Sequence, residues 1–70
     1  MQTFDQYLRS DGAEKLTDIA KAVGVTPGRL SQLRDKLDWP PDLALRVEKV
    51  TGGAVDASYI SPVVAKARAA

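Results

Sequence analysis

A chain of 70 residues with ten basic and nine acidic side chains, a net charge of +1 and 44% hydrophobic content is composed as one small folded domain. With neither cysteine nor histidine, it excludes disulfides, zinc fingers, thiol or imidazole nucleophile–base pairs and most transition-metal sites, and no cofactor is expected. Four prolines and five glycines stand between short apolar periodicities rather than in clusters, so the expected class is all-α.

In chain order, Thr3 and Gln6 form a capping-box pattern ahead of the stripe Phe4, Tyr7 and Leu8, which predicts a first helix over 4–10. Asp11 and Glu14 repeat that signature and predict, after a tight join, a second helix from about Gly12 to Val23. Leu16, Ile19, Ala20 and Val23 recur at i, i+3, i+4 and i+7 and give it an apolar face. Gly24 can take positive φ where the chain must stop and reverse. Thr26 then stands as N-cap and Pro27 as first helical residue of a third element, where a missing N–H is harmless. Its Leu30, Leu33 and Leu37 should face the preceding helix, with Ala20 small at the crossing and Val25 in the corner. Gly28, Arg29, Ser31, Gln32, Asp35 and Lys36 are left outward, and Arg34 lies nearer the flank.

The segment Asp38-Trp39-Pro40-Pro41 predicts a loop, because consecutive prolines bar helix on their N-terminal side. Trp39 has two readings, an indole N–H aimed at a phosphate or a ring packed over a small core, and the second is favoured. A fourth helix opens at Pro41 and Asp42, is lined by Leu43, Val47 and Val50, carries Lys49 near its C-terminal dipole and stops at Gly52. One short turn with Tyr59 and Ile60 follows, and then a cationic, alanine-rich tail over 62–70, helical or frayed. No internal repeat, linker or second domain is apparent, so residues 1–61 are read as the domain and 62–70 as its tail. Neither a signal peptide nor a membrane span is legible, and the expected location is cytoplasmic, with the nucleoid.

Charge is distributed unevenly. Residues 15–36 hold Lys15, Lys21, Arg29, Arg34 and Lys36 against Asp18 and Asp35, a local charge of +3 that leaves −2 elsewhere. Such polarity suits a protein that turns one face to phosphates. The run LTDIAKAVGVTPGRLSQL, Leu16 to Leu33, has the spacing of a DNA-reading helix-turn-helix. Gln32 could pair with adenine and Arg29 with guanine, Ser31 is a further base-reading candidate, and Gly28 leaves room for close approach. Lys15, Thr17, Lys21, Thr26, Arg34 and Lys36 are the phosphate candidates, and residues 27–37 are the expected groove-entering helix.

Those residues, together with Trp39-Pro40-Pro41-Asp42-Leu43-Ala44-Leu45-Arg46-Val47-Glu48 and Thr51-Gly52-Gly53-Ala54-Val55, resemble the single-domain Cro-like repressors of phages and prophages, in particular the YdaS-type group. The resemblance covers most of the chain. It implies a compact four- to five-helix bundle of the lambda repressor-like, helix-turn-helix DNA-binding fold, acting on a palindromic operator as a homodimer. The chain departs from the wider pattern at Leu16, where many members have a phosphate-contacting Gln, and at Pro27 and Gly28, where others place Gln or Ser. Thr17 or Lys15 would then replace the first contact, and readout would shift toward Arg29, Ser31 and Gln32.

One protomer offers three or four base-reading side chains, each bidentate pair giving about 1–3 kcal/mol of discrimination, which is thin against a genome. Two symmetric copies double it, so a homodimer on double-stranded DNA is expected, with a seam drawn from the end of the fourth helix, Tyr59, Ile60 and the tail residues Val63 and Val64. The alternative is a helix-turn-helix protein-interaction module or antitoxin that docks on a polymerase or toxin partner. Catalysis is not expected: acid pairs such as Asp35 and Asp38 lack an accompanying nucleophile, phosphate loop or metal cluster.

Overall fold

Glycine and proline set most of the element boundaries. The computed structural model describes residues 2–69. It comprises α1 (Phe4–Leu8), α2 (Leu16–Val23), α3 (Pro27–Leu33), α4 (Pro41–Val50), α5 (Ala57–Ile60) and α6 (Pro62–Ala69), with no strand among the described residues. A radius of gyration of 11.0 Å equals the roughly 11 Å of a close-packed chain of this length. None of these helices is long and apolar enough to cross a membrane.

The Thr3 capping box forms in full: the hydroxyl accepts from the Gln6 N–H at 3.1 Å and the Gln6 amide oxygen from the Thr3 N–H at 2.8 Å. The second expected box does not form. Gly12 takes φ +79°, which no right-handed helix accommodates, and Ala13 to Lys15 are not helical. Consequently α1 ends at Leu8 rather than residue 10, α2 begins at Leu16 rather than near Gly12, and the join expected to be tight spans 9–15. Buried Tyr7 ties this segment down, its hydroxyl accepting from the Glu14 N–H at 3.4 Å.

Packing of α2 against α3 and α4 places Ile19, Ala20, Val23, Leu30, Leu33, Leu43, Ala44 and Val47 in one core with Phe4, Trp39, Val55, Ala57, Ile60 and Val64. Leu37, expected to continue the α3 stripe, is 46% exposed instead. Helix α3 stops at Leu33 because the Trp39 indole N–H donates to the Leu33 carbonyl at 2.8 Å and to that of Lys36 at 3.1 Å, while the Lys36 N–H closes a tighter turn onto Leu33 O at 3.0 Å. Trp39 thus takes the core place that an extended helix would have given Leu37, and the core reading of this tryptophan holds.

The C-terminal half is fastened by side chains. Thr51 Oγ1 donates to the Val47 carbonyl at 2.8 Å and accepts from the Val55 N–H at 3.2 Å, and Gly52 and Gly53 follow with φ of +66° and +88°. Glu48 accepts from the Ala57 N–H at 2.7 Å and from both terminal nitrogens of Arg68 at 3.0 Å, so one α4 carboxylate holds α5 and α6. The expected tail is helical over its described residues, and α6 rests on α4 and α5. Met1 and Ala70, included in the expected domain and tail, lie outside the described residues. Two expected seam residues are consumed inside the protomer, since Ile60 is fully buried and Val64 is 5% exposed. Both close the core where α5 meets α6.

Two outcomes test this arrangement. Trp39→Phe keeps an aromatic ring but removes the donor from two carbonyls, and should lower unfolding stability by about 1–3 kcal/mol in urea titration, whereas Leu37→Ala should change it by no more than about 0.5 kcal/mol. The Arg68 hydrogen bonds and, next, the Ala57 N–H hold the Glu48 carboxyl below its ordinary value of 4.5. A carboxylate lowered on folding contributes stability above its ordinary value and loses it as pH falls through the lower folded value. Glu48→Gln should therefore be less stable than the parent at neutral pH, and the difference should shrink on acidification below about pH 4.

Candidate functional site

The turn between α2 and α3 is built from three residues. Gly24 adopts φ +80° and its N–H, with that of Val25, bonds to the Ala20 carbonyl at 3.0 Å, closing α2. Arg46 of α4 adds a second closure, its Nη1 donating to the Val23 carbonyl at 3.2 Å. Thr26 then opens α3, its hydroxyl oxygen accepting from the Arg29 N–H at 3.2 Å. That bond leaves the Thr26 O–H proton free to donate outward.

On α3, Leu30 and Leu33 point into the core while Gly28, Arg29, Ser31 and Gln32 are exposed. Gly28, Ser31 and Gln32 fall at i, i+3 and i+4, so the polar candidates share one outer face with Arg29 beside them. Gly28 has ordinary helical geometry, and a Cβ built on it meets nothing within 4 Å. No neighbour in the fold requires a glycine there.

Lys15, Thr17 and Lys21 are exposed on or just before α2. Lys15 occupies the N-cap position without a side-chain cap bond, Thr17 lies in the first turn and Lys21 in the last. Lys36 is exposed but lies past the end of α3, in the loop that Trp39 anchors, so the expected helix spans 27–33 rather than 27–37.

Arg34 departs from the expected phosphate role. It is half-buried, and its Nε bonds Asp5 Oδ1 at 2.7 Å while the Asp5 N–H donates to the Arg34 carbonyl at 2.7 Å. This reciprocal pair fastens the start of α1 to the end of α3. Its structural role was not legible because Asp5 lies 29 residues away.

The remaining arginines divide cleanly. Arg9 pairs with Asp5, Arg46 with Asp42, and Arg68 with Glu48 and Asp56, so among the described residues Arg29 is the one arginine without a carboxylate partner. Lys15, Lys21 and Lys36 are likewise unpaired among the described residues. The exposed surface of α2, α3 and the following loop therefore holds four cations free to meet an external anion, against the exposed acids Asp18, Asp35 and Asp38. No pocket is enclosed among the described residues.

Removal of the Thr26 cap by Thr26→Ala should cost about 1 kcal/mol of unfolding free energy. Gly28→Ala should do the reverse, raising stability by up to about 1 kcal/mol, because a helical residue replaces glycine in open space. Chemical denaturation of the two variants beside the parent reads both signs. Comparison of the chain with protein-family models, with curated proteins and with solved structures found no match.

Proposed function

We propose that the chain is a sequence-specific DNA-binding transcriptional regulator, a repressor that binds a palindromic operator as a homodimer, with α2 and α3 as its helix-turn-helix. The observation that carries this reading is Arg29: among the described residues it stands unpaired and exposed beside Ser31 and Gln32, while each of the other four arginines has a carboxylate partner within the chain. An unpaired guanidinium keeps its five donors for an outside acceptor, and its planar fork matches the O6 and N7 edge of guanine. Gln32 on the same face suits the N6 and N7 edge of adenine.

In this mechanism α3 enters the major groove with Gly28 at the closest approach, Arg29, Ser31 and Gln32 against base edges, and Lys15, Thr17, Lys21, Thr26 and Lys36 on the flanking phosphates. The phosphate contacts fix register and supply most of the affinity, and the base contacts supply discrimination. Arg34 acts from behind, holding the end of α3 against α1. The resemblance to Cro-like repressors, carried by Leu16 to Leu33 and by Trp39 to Val55, supports the same reading.

Selection of bound fragments from randomised and genomic DNA should enrich a palindrome with half-sites about one helical turn apart, and the Arg29→Ala, Gln32→Ala double variant should lose it. The salt dependence should fall in slope by about 0.9 for each phosphate contact removed in Lys15→Ala, Lys21→Ala or Lys36→Ala. Enrichment of nothing by the folded parent protein would overturn DNA reading and favour a protein-docking module instead.

A further inference from the structure

The outer face of α4 is self-complementary. Along this helix Leu43, Ala44 and Val47 are buried, while Asp42, Leu45, Arg46 and Lys49 are exposed. These four lie at i, i+3, i+4 and i+7, a continuous stripe on the side away from the core. Leu45 is 46% exposed at its centre, an apolar side chain that the fold does not cover. Asp42 stands three residues before it and Lys49 four residues after, so an acid and a base flank it at nearly equal distances.

That spacing has a consequence for a second copy laid antiparallel. A two-fold axis passing between residues 45 and 46 brings Asp42 of each copy opposite Lys49 of the other, and brings the two Leu45 side chains together on one side of the axis and the two Arg46 side chains together on the other. The symmetry generates the attractive Asp42–Lys49 pair twice, two such pairs against the single Arg46–Arg46 approach. Among the described residues Asp42 pairs with Arg46 alone, at 3.4 Å between side chains 80% and 54% exposed, which is a weak pair and easily exchanged. Arg46 is otherwise directed back to the Val23 carbonyl.

The other exposed apolar side chains lack this property. Val63 on α6 is 59% exposed, but the only neighbouring charge that α6 leaves unpaired among the described residues is Lys66, so two apposed α6 helices would form no opposite-charge pair at all. Leu37 lies in the loop after α3, and Tyr59 on a helix of only four residues.

We infer that the Asp42–Leu45–Lys49 face of α4 is the surface on which a second copy of this chain docks, antiparallel and two-fold symmetric. Four side chains per copy make a contact well below the roughly 800 Å² per partner of a standard interface. Association in free solution is accordingly weak, and two adjacent half-sites on one DNA would strengthen it by raising the effective concentration. The use of the contact rests on the DNA-binding reading above, whereas the contact itself is measured without DNA.

The test is sedimentation equilibrium of the full chain, taken to about 1 mM so that a millimolar contact registers. Asp42→Lys and Lys49→Asp are run singly and as an equimolar mixture, with circular dichroism confirming that each is folded. Each single reversal should weaken self-association about tenfold, since it turns two attractive pairs into two repulsive ones. The mixture should recover it as a heterodimer, because lysines on one copy then meet aspartates on the other. Leu45→Gln, a change at a position exposed in the protomer, should also weaken association and serves if a charge variant does not fold. A parent protein monomeric throughout the range overturns the inference, as does association unaffected by all three substitutions, or a mixture no stronger than its components. Because no DNA is present, each of these results leaves the DNA-binding reading standing or falling on its own experiment.

Discussion

The fold depends on what one tryptophan does with both of its N–H groups. The Trp39 indole donates to the carbonyls at the end of α3, and its backbone N–H donates to the Ile60 carbonyl at 2.9 Å. Its ring meets Phe4 edge-on at a centroid distance of 5.4 Å, and Phe4 stacks with Tyr7 at 6.5 Å. A single residue from a loop thereby joins the start of the chain, the end of α3 and the end of α5. A helix of seven residues is too short to persist alone, so α3 is held as a helix by what surrounds it. The Thr26 cap fixes its beginning, Trp39 its end and Arg34 its tilt against α1.

Charge is divided between holding the molecule together and facing outward. Arg68 joins α6 to Glu48 and Asp56, Arg34 joins α3 to Asp5, and Arg46 closes α2 from α4. Each guanidinium meets two acceptors or a half-buried partner, work for which its fixed fork is suited. The lysines enter none of these ties among the described residues, nor does Arg29. What composition gives as a nearly neutral protein is therefore, in three dimensions, a set of internal ion pairs beside a surface of α2, α3 and the loop beyond that carries, among the described residues, four unpaired cations and three unpaired acids.

The small residues follow the same division. Gly12, Gly24, Gly52 and Gly53 sit at positive φ, where a side chain would be strained. Gly28 alone has helical geometry and open space around it, and so weakens its helix without any benefit inside the fold. Under the proposed reading, the same open space admits the close approach of a DNA groove. The stability gain forgone at Gly28 is of the size that functional surfaces commonly sacrifice.

The local chemistry of the chain was enough to determine the all-helical class, the Thr3 and Thr26 caps, the Gly24 turn and the span of α4, because each rests on interactions within about one helical turn. The same local signals placed Gly28, Arg29, Ser31 and Gln32 on one exposed face, since helical periodicity alone separates them from Leu30 and Leu33. Only the tertiary structure decided where α3 stops, that Leu37 is displaced from the core by Trp39, that Arg34 is committed to Asp5, and that Ile60 and Val64 are closed to any second copy. A capping signature at Asp11 and Glu14 was overridden by the turn at Gly12 and by Tyr7 reaching Glu14. In each of these cases the deciding partner lies in a different element, and no pattern of neighbouring residues records whether a carboxylate or a carbonyl from elsewhere in the chain will arrive to claim a donor.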